Sequence, residues 1–173
     1  GQRHHYSDIN YLLLGLLIER LTGKSLDDYV ESELYGPLQL RNTRYNPLQK
    51  GFRPAQFAAT EILGSSRGGR RQYDNVRTHV LQGEVHDETA YHSMGGVAGH
   101  AGLFATARDL GVLAQTLLNQ GGYGEQQLFL PRIMERFISP APGDGSYGLG
   151  WRRANHGDRR WHFGPYASAR AFG

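Results

Sequence analysis

"HHYSDINYLLLGLLIERLTGKSL", residues 4–26, sets a polar Tyr-Ser-Asp step directly in front of a run of leucines and isoleucines. Ser7 or Asp8 suits an N-cap, because a short oxygen-bearing side chain can accept from an orphan N–H of the first helical turn. Gly23 stands where a left-handed C-cap belongs, so the stretch predicts a helix from Ser7 or Asp8 to Thr22. Ile9, Leu12, Leu13, Leu14, Leu16, Leu17, Ile18 and Leu21 spread apolar surface around nearly the whole helix. Such a helix is expected inside a domain rather than on its surface. The longest apolar run, Tyr11 to Ile18, is far short of the roughly 20 residues a membrane span needs.

Ser25 caps a second expected helix, with Asp27 and Asp28 in its first turn and Gly36-Pro37 ending it. From Arg41 to His92 the pattern weakens, with one helical candidate at Pro54 to Leu63 and a glycine-rich, basic "GSSRGGRRQYDN". A long unpatterned segment inside a domain tends to be functional or mobile. Thr106 and Asp109 have capping-box spacing before a helix that buries Leu110, Leu113, Leu117 and Leu118. Pro131 opens another helix, ended by Ser139-Pro140, and "SYGLGWRR" alternates Tyr147, Leu149 and Trp151 as a strand would.

At 173 residues the chain has the length of one domain, with 39% hydrophobic and 20% charged residues. It contains no cysteine, which excludes thiol catalysis, disulfides and thiolate metal sites. A net charge of +3 is too weak a bias for a dedicated nucleic-acid binder, and "RGGRR" carries no interleaved stacking aromatics beyond Tyr73. "GKS" at Gly23 to Ser25 fails as a phosphate-binding loop, because it follows a helix and lacks the upstream glycine. His86, Asp87, His92 and His100 are suitable zinc ligands by type, but their spacing fits no helical metal motif, so loop hydrogen bonding is the expected role.

The Tyr6-Ser7-Asp8 step resembles the Tyr-x-Asn element of the serine penicillin-recognising enzymes, the class C β-lactamases, D,D-peptidases and related esterases. "GKSLDDYV", "YGPLQLRNTRYNP", "AGHAGLFATARDL" and "YGLGW" follow in that family's order, so the resemblance covers essentially the whole chain. It implies an α/β fold: part of a β-lactamase/D,D-peptidase-like domain over residues 1–173, a helical lobe plus part of an antiparallel sheet. It also implies acyl transfer through a serine, with Tyr6 relaying the nucleophile's proton. The implied substrate is a peptidoglycan peptide or a β-lactam, with no cofactor, no metal and no nucleic acid. Residence would be periplasmic or in the cell envelope, with membrane association only through parts outside this chain. Ser7, His100 and Gly102 would shape the substrate cleft.

Two departures qualify the resemblance. No serine here has a lysine three residues on, and no Lys-Thr-Gly or His-Thr-Gly occurs; "HFG" at 162–164 is only superficially similar. The chain therefore reads as the middle and later part of a larger enzyme, without the nucleophile and its lysine. Lowering a phenol from near pH 10 to neutrality takes about 4 kcal/mol. An ammonium about 4 Å away supplies roughly that at an effective dielectric near 20. Tyr6 alone should stay a neutral phenol and the isolated chain inactive. The second departure is Asp8 where the family has asparagine: an ionised carboxylate only accepts, which suits an ion pair with the lysine. Asp8 as a plain helix cap stays open beside that. Two other readings also stand: a noncatalytic peptidoglycan- or partner-binding member of the fold, and a metallohydrolase using His86, Asp87 and His100.

Overall fold

The structure, a computed structural model, describes residues 7–62, 65, 66, 69, 70, 75–142, 145–154, 163, 164 and 166–173. Tyr6, most of the "RGGRR" segment with Tyr73, and His162 lie outside them. The described chain forms two compact units divided after Gly111.

The first unit begins with α1 (Asp8–Thr22). Ser7, extended at φ −155° and ψ 134°, caps it by accepting from the Ile9 N–H, and Gly23 closes it at φ 69°. The short α2 (Leu26–Val30) is capped by Ser25 and runs into a π-helical turn (Glu31–Tyr35) that Gly36 ends by donating to the Glu31 carbonyl. Lys50 bridges Asp27 and Glu31, 3.3 Å from each. Burial works against ionisation of Asp27, but the Ser25 hydroxyl and the Lys50 ammonium outweigh it and hold the carboxyl below its usual range.

The expected helix at Pro54 to Leu63 does not form. Pro54–Gln56 makes one 3-10 turn, where the Gln56 side chain accepts from the Arg53 N–H. Phe57 then turns extended and sets its ring edge-on to Phe52 and Phe104. Packing three half-buried aromatic rings together outweighs a weak local helical preference. The chain continues as a strand, and all sheet here is in two-stranded antiparallel pieces. β1 (Arg44–Tyr45) pairs with β6 (Leu103–Phe104), β2 (Ala59–Glu61) with β5 (Leu81–Gln82), and β3 (Ser65–Ser66) with β4 (Gly69–Arg70).

Between β5 and β6 lies α3 (Glu88–Ser93), capped by Asp87, whose carboxylate accepts from the Ala90 N–H at 2.7 Å. The histidine-rich stretch is thus partly helical rather than all loop. Val85, Ala90 and Ala98 form a small core against which Leu12, Met94 and Ala101 pack. Arg77, 7% exposed, donates to the carbonyls of Val85 and His86 and to Glu88, and lies over the Tyr91 ring. Thr106 accepts from the Asp109 N–H at 3.2 Å, one half of a capping box. The Asp109 carboxylate is buried and receives the Asn42 N–H and the Thr43 hydroxyl, 2.9 and 3.0 Å away. It ties the start of α4 (Ala107–Leu118) to the turn before β1.

Among the described residues α1 is left largely uncovered. Gly15 is its only buried residue, Leu12 is half-buried, and Leu13 and Leu21 are 60% and 75% exposed.

In the second unit, from residue 112, β7 (Gly122–Tyr123) and β8 (Gln126–Gln127) make a hairpin, and α5 (Pro131–Ile138) ends at Ser139 as expected. "SYGLGWRR" is not a strand. Tyr147 and Arg152 form an isolated bridge, with Gly148 donating to Trp151 and Leu149 to Phe137. A side chain at 148 would run into the Phe137 carbonyl, so glycine there lets the turn close on the end of α5.

Candidate active site

The N-terminus of α1 opens onto a cavity of about 330 Å³ lined by Ser7, Asp8, Ile9 and Leu12 from the helix and by Asp87, Thr89 and His100 from across it. Two glycines bring these walls together. Ala98 and Ala101 exchange backbone hydrogen bonds, making a tight turn with Gly99 and His100 at its tip. A methyl group on Gly99 would overlap the Tyr11 carbonyl, and one on Gly15 would press on the Gly99 nitrogen. Backbone therefore lies on backbone where the turn crosses α1, and His100 is delivered beside the helix start.

Below the turn, the Tyr45 hydroxyl donates to the Ala98 carbonyl at 3.1 Å. Burial, then the nearby Asp27 charge, push the Tyr45 phenol above its usual range, so it serves as a neutral donor.

His100 Nε2 stands 3.2 Å from Asp87 Oδ1, and the imidazole side chain is 6% exposed. A carboxylate can only accept, so the ring carries a proton on Nε2, turned to Asp87. Its Nδ1 is buried without a hydrogen-bond partner among the described residues. Asp87 is more open, its side chain 37% exposed.

The cavity thus joins Ser7, Asp8, Asp87 and His100, all named in the sequence analysis, and adds Thr89, Ile9 and Leu12. Gly102 does not line it. That glycine sits at φ 105°, where any side chain would strike the Gly96 carbonyl and the Tyr45 ring. Tyr6 precedes the described residues. The other histidines disperse: His86 pairs with Glu61 at 3.5 Å, His92 with Glu88 at 3.2 Å and His79 with Glu84 at 2.9 Å. Of His86, Asp87 and His100, only the last two meet. Among the described residues no three His, Asp or Glu side chains are grouped to hold a metal ion, and no helix is long and apolar enough to cross a membrane.

Thr89 was missed as a lining residue because the short α3 carries no apolar periodicity. The signal was Asp87 before Glu88-Thr-Ala, an acidic cap ahead of a good helix former.

The model of the Beta-lactamase family matches residues 1–173. An N-acetylmuramyl-L-alanine amidase of Bacillus subtilis (strain 168) is 54% identical over all of the chain, which covers 39% of that protein. A putative D-alanyl-D-alanine carboxypeptidase of Escherichia coli (strain K12) is 49% identical over all of the chain and 40% of its own length. The chain spans about two fifths of the length of these relatives. Among solved structures, the octameric penicillin-binding protein homologue from Pyrococcus abyssi superposes with a TM-score of 0.60, at 19% identity, over 87% of this chain and 30% of that one. That likeness concerns the fold: α/β, with helices and small antiparallel sheets. The chain belongs to the Beta-lactamase family.

Proposed function

We propose that this chain is part of a serine hydrolase that acts by acyl transfer on D-alanyl peptides or related amides and esters, as D,D-carboxypeptidases and β-lactamase-related enzymes do. The observation carrying the reading is the Tyr6-Ser7-Asp8 step at a capped helix whose mouth opens on a polar cavity. The names of the amidase and carboxypeptidase relatives support the same class of chemistry. Tyr6 shuttles the proton of a serine nucleophile supplied by a part of the protein outside this chain. The lysine beside that serine stabilises the phenolate, and Asp8 pairs with the lysine. Ser7 caps the helix, and His100 helps shape the cleft. The 173 residues alone are inactive, having neither the serine nor the lysine. The working protein resides in the periplasm or cell envelope, with peptidoglycan peptide or a β-lactam as its ligand.

Intact mass spectrometry with and without a penicillin tests this. The full-length protein should gain one drug adduct, and the 173-residue chain none. An adduct on the isolated chain, or no adduct on the full-length protein together with no D-alanine released from a peptide ending in D-Ala-D-Ala, overturns it. Release of an intact peptide from muramyl substrate instead would assign amidase rather than carboxypeptidase chemistry.

A further inference from the structure

A second cavity, of about 250 Å³, is built against the β1–β6 pair and shares no lining residue with the cavity at α1. Phe52, Phe57 and Phe104 give it an aromatic side, and the Arg44 guanidinium stands over the Phe52 ring, 4.3 Å from its centre. One Nη of Arg44 donates to the Arg41 carbonyl, and its Nε is buried with no hydrogen-bond partner among the described residues. No aspartate or glutamate lines the cavity to offset the charge. The Asp109 carboxylate is taken up instead by the Asn42 N–H and the Thr43 hydroxyl. The neutral groups lean the same way. Gln56 accepts from the Arg53 N–H through its side-chain oxygen and keeps its amide N–H groups to donate. The Thr106 oxygen accepts from the Asp109 N–H, which leaves its hydroxyl proton. The lining therefore combines one positive charge, surplus donors and aromatic faces. A cation is repelled by such a lining, and a ligand without an acceptor leaves its donors unanswered.

We infer that this cavity binds a small aromatic carboxylic acid in its ionised form. The ring lies among Phe52, Phe57 and Phe104, and the carboxylate meets the guanidinium edge of Arg44, with Gln56 and Thr106 as further donors. The planar guanidinium matches a carboxylate in shape as well as charge, and the Phe52 ring beneath it helps fix its plane. The cavity is smaller than the roughly 300–1,000 Å³ of drug-sized ligand sites, which suits a single ring and its carboxylate rather than a peptide. The site is independent of the acyl-transfer reading, because none of these residues lines the cavity at α1.

The test is a titration of the full-length protein with para-fluorobenzoate and with para-fluorobenzamide, which has the same ring and no charge, read by fluorine NMR line broadening. The carboxylate should bind tighter by about tenfold or more, the scale of one hydrogen bond to a charged group. Arg44→Met, which keeps a side chain over Phe52, should bring that ratio to about one. Ala58 is an exposed residue of the cavity wall, and Ala58→Trp should fill the space and abolish binding of both compounds. Equal affinity for the two compounds, or no binding of either, overturns the inference. So does a ratio that survives Arg44→Met, or carboxylate binding that survives Ala58→Trp. Should Arg44→Met unfold, Ala58→Trp decides: lost binding supports the site and retained binding overturns it.

Discussion

Helix α1 and the stretch from Arg77 to Asp109 lie in one compact unit and are held by opposite means. The helix is rich in leucine and shows most of it to solvent; Gly15 is buried, and Tyr11, Leu12 and Ile18 are half-buried. The other stretch is polar, broken by glycines, and contains Leu81, Val85, Ala90, Ala98 and two buried charges, Arg77 and Asp109. Its order comes from directed hydrogen bonds. Arg77 holds three oxygens at once, and Asp109 collects two donors from a distant turn. An apolar surface is satisfied by any apolar cover, whereas a buried charge needs its partners in place. The polar stretch is therefore the more geometrically defined of the two, and it presents His100 and Asp87.

The contrast is broken most severely at Arg77. Arg77→Met keeps much of the packing over Tyr91 but leaves the Val85 and His86 carbonyls without their Arg77 donor and Glu88 with His92 alone. The expected cost in the full-length protein is about 3–5 kcal/mol, read from denaturant unfolding. A loss below about 1 kcal/mol, typical of an exposed ion pair, would mean that apolar packing holds this stretch together too.

Next comes α1 itself. A set of exposed leucines this large on one helix exceeds what folded monomers leave uncovered. In the full-length protein the double substitution Leu13→Gln, Leu17→Gln should cost about 3 kcal/mol, the order of two buried aliphatic side chains. A cost under about 0.5 kcal/mol, the usual size for open surface, would make α1 a solvent-facing helix.

These two regions also divide what could be read in advance. The bounds of α1, both its caps and the start of α5 were legible, because capping depends on a few neighbouring side chains. The burial of α1 was not, because periodicity states what a helix could bury and not what stands opposite. The cavity was half legible. Ser7 and Asp8 announced themselves by position, and His100 through the family resemblance. Its pairing with Asp87 depends on a turn that crosses a helix, a contact between residues far apart in sequence. Likewise Asp109 looked like a local capping partner, yet its carboxylate serves Asn42 and Thr43, a choice made by tertiary packing.

That crossing gives the third expected effect. Gly99→Ala places a methyl group against the Tyr11 carbonyl, and neither backbone can yield without moving the turn or bending α1. The expected destabilisation is about 1–3 kcal/mol, as for other overpacked sites, with a lower kcat/KM for a peptide ending in D-Ala-D-Ala as His100 shifts. Unchanged stability and kinetics would show that the close approach does not position His100.

The smallest effect belongs to the electrostatic clamp on α2. Asp27 has its folded pKa below the ordinary 3.8, set by burial opposing and the Ser25 and Lys50 contacts outweighing it. A depressed folded value means that the ionised carboxylate favours the native state. Its contribution is complete above the unfolded value, and it disappears as pH falls from about 3.8 through the lower folded value. Other carboxylates titrate in the same window, so the difference between the unsubstituted protein and Lys50→Ala isolates the clamp. Melting temperatures of the two should differ slightly at neutral pH, by less than about 1 kcal/mol in stability because solvent screens the pair, and converge as the solution is acidified below that window. A gap that persists at low pH would mean that Lys50 acts through the packing of its methylenes, and α2 would then join the apolar side of the comparison.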